Sequence, residues 1–270
     1  KRKKGLGSQE LYALRNDRGD WIEGIELERY VAQALCNFGH QKIHAKGWGE
    51  GRQKLDAEEK AELKRTPTDE EISEILKKLK KKKACLEGDL PGWIMKEGGE
   101  DMVERCHEAI KMAWVKPQSI PKEWSRTQIR LIPKSGRDTS RIDGWRPIAV
   151  GTNMNKIMMM IWSSRLEEMA IKKHWIHRRQ FGFVKGKTMK GAADLASAII
   201  DRTKNVQVMQ WDIERAFPSI SSKEVSIMLS NLGAPLEFTQ ILDKFYEEAP
   251  VSAVVGGKPG GEFQQYKNGA

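Results

Sequence analysis

Apolar residues recur at three- and four-residue spacing along most of the chain, a pattern that predicts amphipathic helices. The predicted helices cover about 22–38, 68–79, 101–115, 153–173, 189–202, a segment that begins after 221, and 234–248. Thr68 and Glu71 have the spacing of a capping box, and Ser221 and Glu224 repeat it. These positions therefore predict where two of the helices begin.

Alternating or continuous β-forming residues predict strands in four places. Residues 127–133 and 145–150 flank a polar turn with basic residues and glycine, which predicts a hairpin with a basic tip, and residues 251–266 predict a second hairpin. Residues 206–213 are apolar enough for a buried strand. Helices and strands alternate irregularly without a repeat, so the predicted class is α+β.

Methionines dominate one face of the predicted helix over residues 153–173. Met154, Ile157, Met158 and Ile161 recur at helical spacing there. Methionine fills irregular space in protein cores, so this stripe predicts core packing rather than a cofactor site.

Asp212 follows the apolar run in the segment VMQWDIERAFPSI, residues 206–218. A carboxylate inside a buried strand is costly unless a cation or a hydrogen-bond donor pairs with it. Two interpretations follow from these residues alone. Asp212 is either a surface acid at the end of a strand or one half of a metal site.

The composition favours a polyanionic partner. The 270 residues carry a formal charge of +10 and a pI near 9.4, which places nucleic acid ahead of an anionic membrane surface. No apolar run reaches the roughly 20 residues of a membrane-spanning helix, so we expect a soluble, intracellular protein without a membrane partner. Cys36, Cys85 and Cys106 are widely spaced and predict free thiols. The chain begins with Lys1, so we expect a piece of a longer polypeptide.

Positive charge is concentrated between residues 141 and 190, where eleven Lys or Arg residues stand against three acids. Such a run is either a solvated helix face or a nucleic-acid contact. The segment HWIHRRQFGFVKGKT mixes basic residues with aromatic residues that can stack on bases. Gly182 and Gly186 permit close approach of the backbone to a ligand, which favours the second interpretation.

The order of the motifs IPKEW, IRLIPKSG, WRPIAV, NKIMMMIWSSRL, QFGFVKGKT and QWDIERAFPSI resembles the reverse transcriptase of non-LTR (LINE-type) retrotransposons. The resemblance covers about residues 66–270. It implies a right-hand polymerase, with helix-rich fingers around a small antiparallel sheet and a partial palm. The implied domains are an N-terminal extension (1–66), the fingers with the start of the palm (67–205), and a partial palm (206–270).

The resemblance also implies the catalytic chemistry, which is RNA-directed DNA synthesis by two-metal nucleotidyl transfer from the 3′-hydroxyl of a primer. Asp212 would bind both Mg²⁺ ions, with the backbone carbonyl of Ile213 as a second ligand to one of them. Lys134 and Arg146 would bind the triphosphate of the incoming dNTP. Phe217 would crowd the sugar 2′ position and favour deoxynucleotides.

The implied partners are an RNA template, a DNA primer or RNA–DNA hybrid, dNTPs, and the remaining palm and thumb of the same polyprotein. A retroelement protein of this kind is expected in the nucleus and the cytoplasm. The residues expected to contact nucleic acid are Arg141, Lys156, Arg178, Arg179, Gln180, Phe181, Gly182, Lys185 and Lys187.

Two departures from the family pattern affect the implied activity. Pro218 stands where the family usually has Asp, and no Asp-Asp dipeptide occurs in the chain, although the family supplies further metal ligands from a Tyr-x-Asp-Asp motif. We therefore expect these 270 residues alone to be inactive. A truncated or decayed RNA-binding remnant and a group II intron maturase-type reverse transcriptase stay open as alternatives.

Overall fold

The computed structural model describes residues 10–37, 47–80, 85–86, 88–213, 216, 220–246 and 249–263. The helices in this part of the chain are α1 (Gly24–Asn37), α2 (Ala57–Lys64), α3 (Asp69–Lys78), α4 (Gly92–Glu97), α5 (Gly99–Val115), α6 (Lys122–Ser125), α7 (Asn153–Lys172), α8 (Met189–Arg202), α9 (Ser222–Asn231) and α10 (Leu236–Tyr246). The strands are β1 (Ala13–Arg15), β2 (Trp21–Glu23), β3 (Thr127–Pro133), β4 (Trp145–Gly151), β5 (Val251–Val255) and β6 (Lys258–Phe263). These elements confirm the predicted α+β class. None of the described helices is long and apolar enough to cross a membrane.

The main sheet has four strands in the order β4-β3-β5-β6. β3 pairs with β4 and β5 pairs with β6, both antiparallel, which confirms the two predicted hairpins. β3 and β5 run parallel, with Thr127 opposite Val251, so the prediction of an antiparallel sheet is wrong for this pair. Parallel strands are joined by a long crossover, and a local sequence pattern carries no signal for a pairing over that distance.

Part of the implied N-terminal extension contributes to a core. β1 and β2 form a hairpin, and Leu14, Leu27 and Val31 are fully buried in a cluster with residues of β3, β4 and β5 such as Ile129. Each such burial stabilises the fold by about 1.5–3 kcal/mol. The cluster draws on all three predicted domains, and their boundaries stay predictions.

A second core cluster is formed mainly by the helices. Its centre is aromatic, because Trp162 of α7 stacks on Phe238 of α10 with ring centroids 4.9 Å apart, and Trp114 of α5 meets the same ring edge-on at 6.3 Å. The indole Nε1 of Trp162 donates a hydrogen bond to the backbone carbonyl of Phe238 at 2.8 Å. Met158 is fully buried beside them, which confirms that the methionine face of α7 is core.

Arg165 of α7 is a buried cation between the helices, with 4% of its surface exposed. Its Nη2 and Nε donate to the carboxylate of Glu71 at 2.9 and 3.1 Å, and its Nη1 donates to the backbone carbonyls of Glu62 and Arg65. The guanidinium also lies 5.0 Å from the centre of the Trp114 ring. All three nitrogens of the guanidinium therefore donate hydrogen bonds, which connect α7 to α2 and α3.

Glu71 carries the helix cap of α3 as well as this ion pair. Thr68 and Glu71 form the predicted capping box, which the structure confirms. Burial raises the pKa of the Glu71 carboxyl, but hydrogen bonds from Arg165, from the Thr68 backbone and from Arg65 outweigh it and lower the pKa to about 2. The carboxylate is thus held ionised by its partners.

A second ion-pair group joins α2 to the end of α7. Glu59 is 2% exposed, and Lys173 (8% exposed) places its Nζ 2.6 Å from the Glu59 carboxylate. The more exposed Lys172 approaches the same carboxylate at 3.0 Å. Hydrogen bonds from Lys173 and from the Asp56 backbone lower the pKa of Glu59 to about 2. Both lysines therefore act as structural partners of one buried carboxylate.

Residues 174–213 form a peripheral segment in which no residue is buried. α8 has the predicted bounds and is capped by the Thr188 side chain. The predicted buried strand at 206–213 is wrong, because these residues form no strand and Val208, Met209 and Trp211 are 76%, 75% and 83% exposed. A strand needs a paired neighbour for its backbone groups, and no described strand pairs with this run.

Candidate nucleotide and nucleic-acid interface

The sheet exposes a basic face at the turn end of the β3–β4 hairpin. Arg130 lies opposite Ile148, and Arg146 lies opposite Ile132. Directly opposed residues and residues two apart share a face of a sheet, so both arginines project from one face. All four residues are exposed. Residues of the opposite face, such as Ile129, belong to the buried cluster.

Lys134 extends this face into the turn. Its N–H donates to the carbonyl of Gly144 at 2.8 Å, which continues the β3–β4 ladder, and its Nζ donates to the backbone carbonyl of Asp143 at 2.8 Å. Arg146, one step along the ladder, makes no side-chain hydrogen bond or ion pair with any described residue. The structure therefore places the two predicted triphosphate-binding residues on one face of one hairpin, and their role stays a prediction.

Arg130 belongs to the same face and was missed by the sequence reasoning. It is exposed and, like Arg146, has no side-chain partner among the described residues. The signal was available, because Arg130 stands between the apolar residues Ile129 and Leu131 of the predicted strand and so projects from the other face. A charged residue on the solvent side of a strand, in line with Arg146 of the neighbouring strand, marks a shared surface.

The other predicted contacts surround this hairpin in the sequence. Arg141 is exposed in the turn, with its Nε 3.7 Å from the Asp143 carboxylate, an ion pair of little strength at the surface. Lys156 is exposed in the first turns of α7. Its side chain contacts no described charged group, so it remains available to a ligand.

The loop between α7 and α8 contains the remaining predicted nucleic-acid residues. Gln180 donates to the carbonyl of Gly182 at 3.2 Å, and the backbone N–H of Lys185 donates to the Glu167 carboxylate at 2.7 Å. Lys187 donates to the backbone carbonyl of Arg178. These hydrogen bonds hold the loop in its conformation. They leave the guanidinium groups of Arg178 and Arg179 exposed to solvent.

Two phenylalanines of this loop differ in what they offer to a ligand. The ammonium of Lys187 lies 5.1 Å from the ring centre of Phe181, so one face of that ring is covered by a cation–π contact. Phe183 is 93% exposed and has a backbone φ of 58°. Phe183 was not predicted as a site residue, although an aromatic residue between glycine and basic residues is a candidate platform for base stacking.

The charge excess between residues 141 and 190 is smaller on the surface than in the sequence. Arg165 pairs with Glu71 in the core, and Lys172 and Lys173 pair with Glu59. Eight of the eleven basic residues form no ion pair with these two core carboxylates. They are Arg141, Arg146, Lys156, Arg178, Arg179, Lys185, Lys187 and Lys190.

Asp212 lies in the exposed segment, in the position of a surface acid. It forms no hydrogen bond or ion pair with any residue that the structure describes, and Ile213 beside it is 68% exposed. Phe217 and Pro218 lie outside the described residues. The predicted roles of Asp212, Ile213 and Phe217 therefore stay predictions.

The described residues do not fit a site for two Mg²⁺ ions. A two-metal site needs several carboxylates around positions about 3.5–4 Å apart. Within the described ranges, no group of three or more His, Cys, Asp or Glu side chains could hold a metal ion. Asp212 is one carboxylate, and it cannot supply the coordination that octahedral Mg²⁺ demands.

Comparison with known proteins supports a retrotransposon-related origin. No protein-family model matches the chain. A retrovirus-related Pol polyprotein from the type-1 retrotransposable element R2 of Popillia japonica is 28% identical to it over 118 residues. That match covers 42% of this chain and 16% of the relative. The chain thus matches only a small part of that polyprotein.

Proposed function

We propose that this chain is part of an RNA-directed DNA polymerase of a non-LTR retrotransposon, which acts in the nucleus and cytoplasm on an RNA template and a DNA primer. The observation that carries the proposal is the exposed basic face of the β3–β4 hairpin. Arg130, Lys134 and Arg146 share that face, and the two guanidinium groups have no partner among the described residues. Unpaired arginines on a rigid sheet are well suited to phosphate oxygens.

Each part of this surface has a distinct role in the proposal. Arg146 and Lys134 bind the triphosphate of the incoming dNTP, since charge-assisted hydrogen bonds are stronger than neutral ones. Lys134 already donates to a backbone carbonyl and would exchange that bond for a phosphate oxygen. The loop with Arg178, Arg179 and Lys185 neutralises phosphates of the template strand.

Catalysis needs groups that the described residues do not assemble. Bound Mg²⁺ would supply charge neutralisation for phosphoryl transfer, and Asp212 with the Ile213 carbonyl would contribute part of its coordination. Phe217 would act on the sugar of the dNTP. The remaining carboxylates must come from other parts of the polyprotein in this proposal.

A catalytically inactive RNA-binding remnant is the second candidate function. It is favoured by one observation, namely that no metal-binding group of side chains forms among the described residues. The basic hairpin and loop would then bind RNA without nucleotidyl transfer. A remnant would bind RNA but would not need a dNTP site at Arg146. The two candidates therefore differ in whether Arg146 contributes to dNTP affinity.

Arg146→Ala is expected to weaken dNTP binding by about tenfold, because it removes charge-assisted hydrogen bonds to phosphate, and to leave RNA affinity within about twofold. Titration of the purified chain with a fluorescent dNTP and with a labelled RNA measures both. Lys111→Ala is the matched control, since Lys111 is an exposed cation on α5. A fall in RNA affinity with unchanged dNTP affinity would move Arg146 to the template surface.

A further inference from the structure

A small polar cavity of about 180 Å³ lies at the start of β3, at the opposite end of the sheet from the β3–β4 turn. Its polar lining comes from Arg126, Gln128, Ser252 and Glu262 of three neighbouring segments. Pockets for drug-sized ligands measure roughly 300–1,000 Å³. The cavity therefore suits one planar group rather than a whole cofactor.

Two buried polar side chains in this cavity lack partners. Gln128 is 5% exposed and Ser252 is 9% exposed, and they lie opposite each other in the parallel pairing of β3 and β5. Neither side chain makes a hydrogen bond to another described residue. Solvent in the cavity reaches the amide of Gln128 and the hydroxyl of Ser252, so both groups are open to hydrogen bonds from a ligand that enters it.

Charged groups flank these two side chains. Glu262 of β6 lies opposite Ser252, and its carboxylate can only accept hydrogen bonds when ionised. Arg126 is an exposed cation that lines the cavity just before β3 begins. Pro250 and Pro259 complete the lining with apolar rings. The cavity thus offers apolar walls, an amide, an acceptor and a cation.

We propose that this cavity binds one unpaired base of a single-stranded nucleic acid that lies along the basic sheet face. The proposal rests on the proposed function. The Gln128 amide has a donor and an acceptor side by side, which matches the edge of a base in a bidentate pair. Arg126 then binds the phosphate of the same nucleotide, and the proline rings pack on the base.

The position of the cavity favours a nucleic acid over a peptide. Gln128 and Arg130 are two residues apart and therefore share one face of β3. A nucleic-acid strand with one base in the cavity therefore passes the unpaired arginines of the hairpin. A polyanion gains from these cations, whereas a neutral peptide does not. Unpaired bases can be splayed into such pockets because single strands are not held in a stack.

The lining also predicts which bases bind. Glu262 accepts a hydrogen bond from an exocyclic amino group, which adenine and cytosine have and uracil lacks. The glutamine amide can turn to suit any base, so it adds affinity without choosing between them. Together they predict a preference for adenine or cytosine over uracil.

The test compares labelled oligoadenylate and oligouridylate by fluorescence anisotropy with the purified chain. The wild-type chain is expected to bind oligoadenylate about tenfold more tightly, the effect of one hydrogen bond from the adenine amino group to the charged Glu262. Glu262→Gln, which can donate to a uracil carbonyl, is expected to bring the ratio close to one, and Gln128→Leu to weaken both complexes about tenfold. Gln118→Leu is the matched control, because Gln118 is exposed.

Ser252→Ala is the second variant if Gln128→Leu fails to fold: it removes only a hydroxyl that lines the cavity, and it is expected to weaken both complexes. Equal binding of the two oligomers by the wild-type chain, or a ratio unchanged in Glu262→Gln, would mean that the cavity holds water or a peptide group, and the proposed function would stand. No binding of either oligomer at low salt would contradict the base site and the proposed function together.

Discussion

Arg165→Met is expected to lower the free energy of unfolding by about 3 kcal/mol, because the Glu71 carboxylate loses one of its two cationic partners and two backbone carbonyls lose their donor. The Glu71 carboxylate would lose its two hydrogen bonds from Arg165. The backbone carbonyls of Glu62 and Arg65 would lose their donor, the Nη1 of Arg165. The expected fall in Tm is roughly 10 °C for a chain of this size. Thermal and urea unfolding of the two proteins measure the difference.

The pH dependence of that difference identifies its cause. The pKa of Glu71 is lowered from 4.5 to about 2 in the folded chain, so its ion pair stabilises the fold fully above pH 4.5 and the stabilisation is lost as the pH falls toward 2. The gap in Tm between the wild type and Arg165→Met should shrink over the same interval. A gap that stays constant with pH would assign the loss to packing alone.

A second substitution separates the ion pair from the burial of the side chains. Replacement of both partners, Glu71→Gln with Arg165→Met, should recover part of the lost stability, since no carboxylate is then left without its arginine and glutamine keeps the capping hydrogen bond with Thr68. Arg141→Met is the control, because its ion pair is long and exposed. A single Arg165→Met variant as stable as the control would show that this cation is not a structural element.

Triple replacement of Arg178, Arg179 and Lys185 by Ala is expected to reduce the dependence of RNA affinity on salt. Each phosphate contact to a single strand contributes about 0.7 to the slope of log K against log salt, so the slope should fall by about 2. The three side chains are exposed in the loop before α8. RNA affinity measured over a series of salt concentrations gives the slope for each protein.

The control for this change is the triple variant Lys111→Ala, Lys116→Ala and Lys122→Ala, in which the same charge is removed from exposed residues of α5, α6 and the turn between them. Lys187 is left in place because it bonds to the loop backbone and covers Phe181. Equal slopes for the two triple variants would mean that RNA binds by overall charge and not at the loop.

Local patterns predicted the local structure of this chain. The capping residues Thr68 and Ser221 begin α3 and α9, and the alternation in 127–133 is the strand β3. Such signals act within a few residues, because a cap, a turn or one face of a helix is decided by near neighbours. The same holds for α8, which has its predicted bounds.

Local sequence patterns did not predict which distant strands pair. The parallel pairing of β3 with β5 joins segments more than a hundred residues apart, and the run 206–213 reads as a buried strand but has no pairing partner among the described strands. β-propensity reports fit to a half-buried surface rather than an intrinsic preference of the backbone. An apolar run therefore indicates a strand only where a neighbour exists.

The candidate site was predicted in part. Lys134 and Arg146 lie on one hairpin, and their triphosphate-binding role stays a prediction, whereas Arg165, Lys172 and Lys173 from the same basic region serve the core. Charge counting cannot separate these groups, because the buried carboxylates that pair with them come from α2 and α3, about a hundred residues earlier. The alignment of Arg130 with Arg146 on the neighbouring strand required the strand register.

Cross-linking of a photo-reactive RNA identifies the surface of the chain that binds nucleic acid. A primer–template containing photo-reactive bases is cross-linked to the purified chain, and the modified peptides are identified by mass spectrometry. We expect cross-links in β3, in β4 and in the loop that contains Arg178 and Phe183, and their loss at high salt. Cross-links confined to other surfaces, such as the exposed side of α5, would show that the basic hairpin and loop are not the nucleic-acid interface.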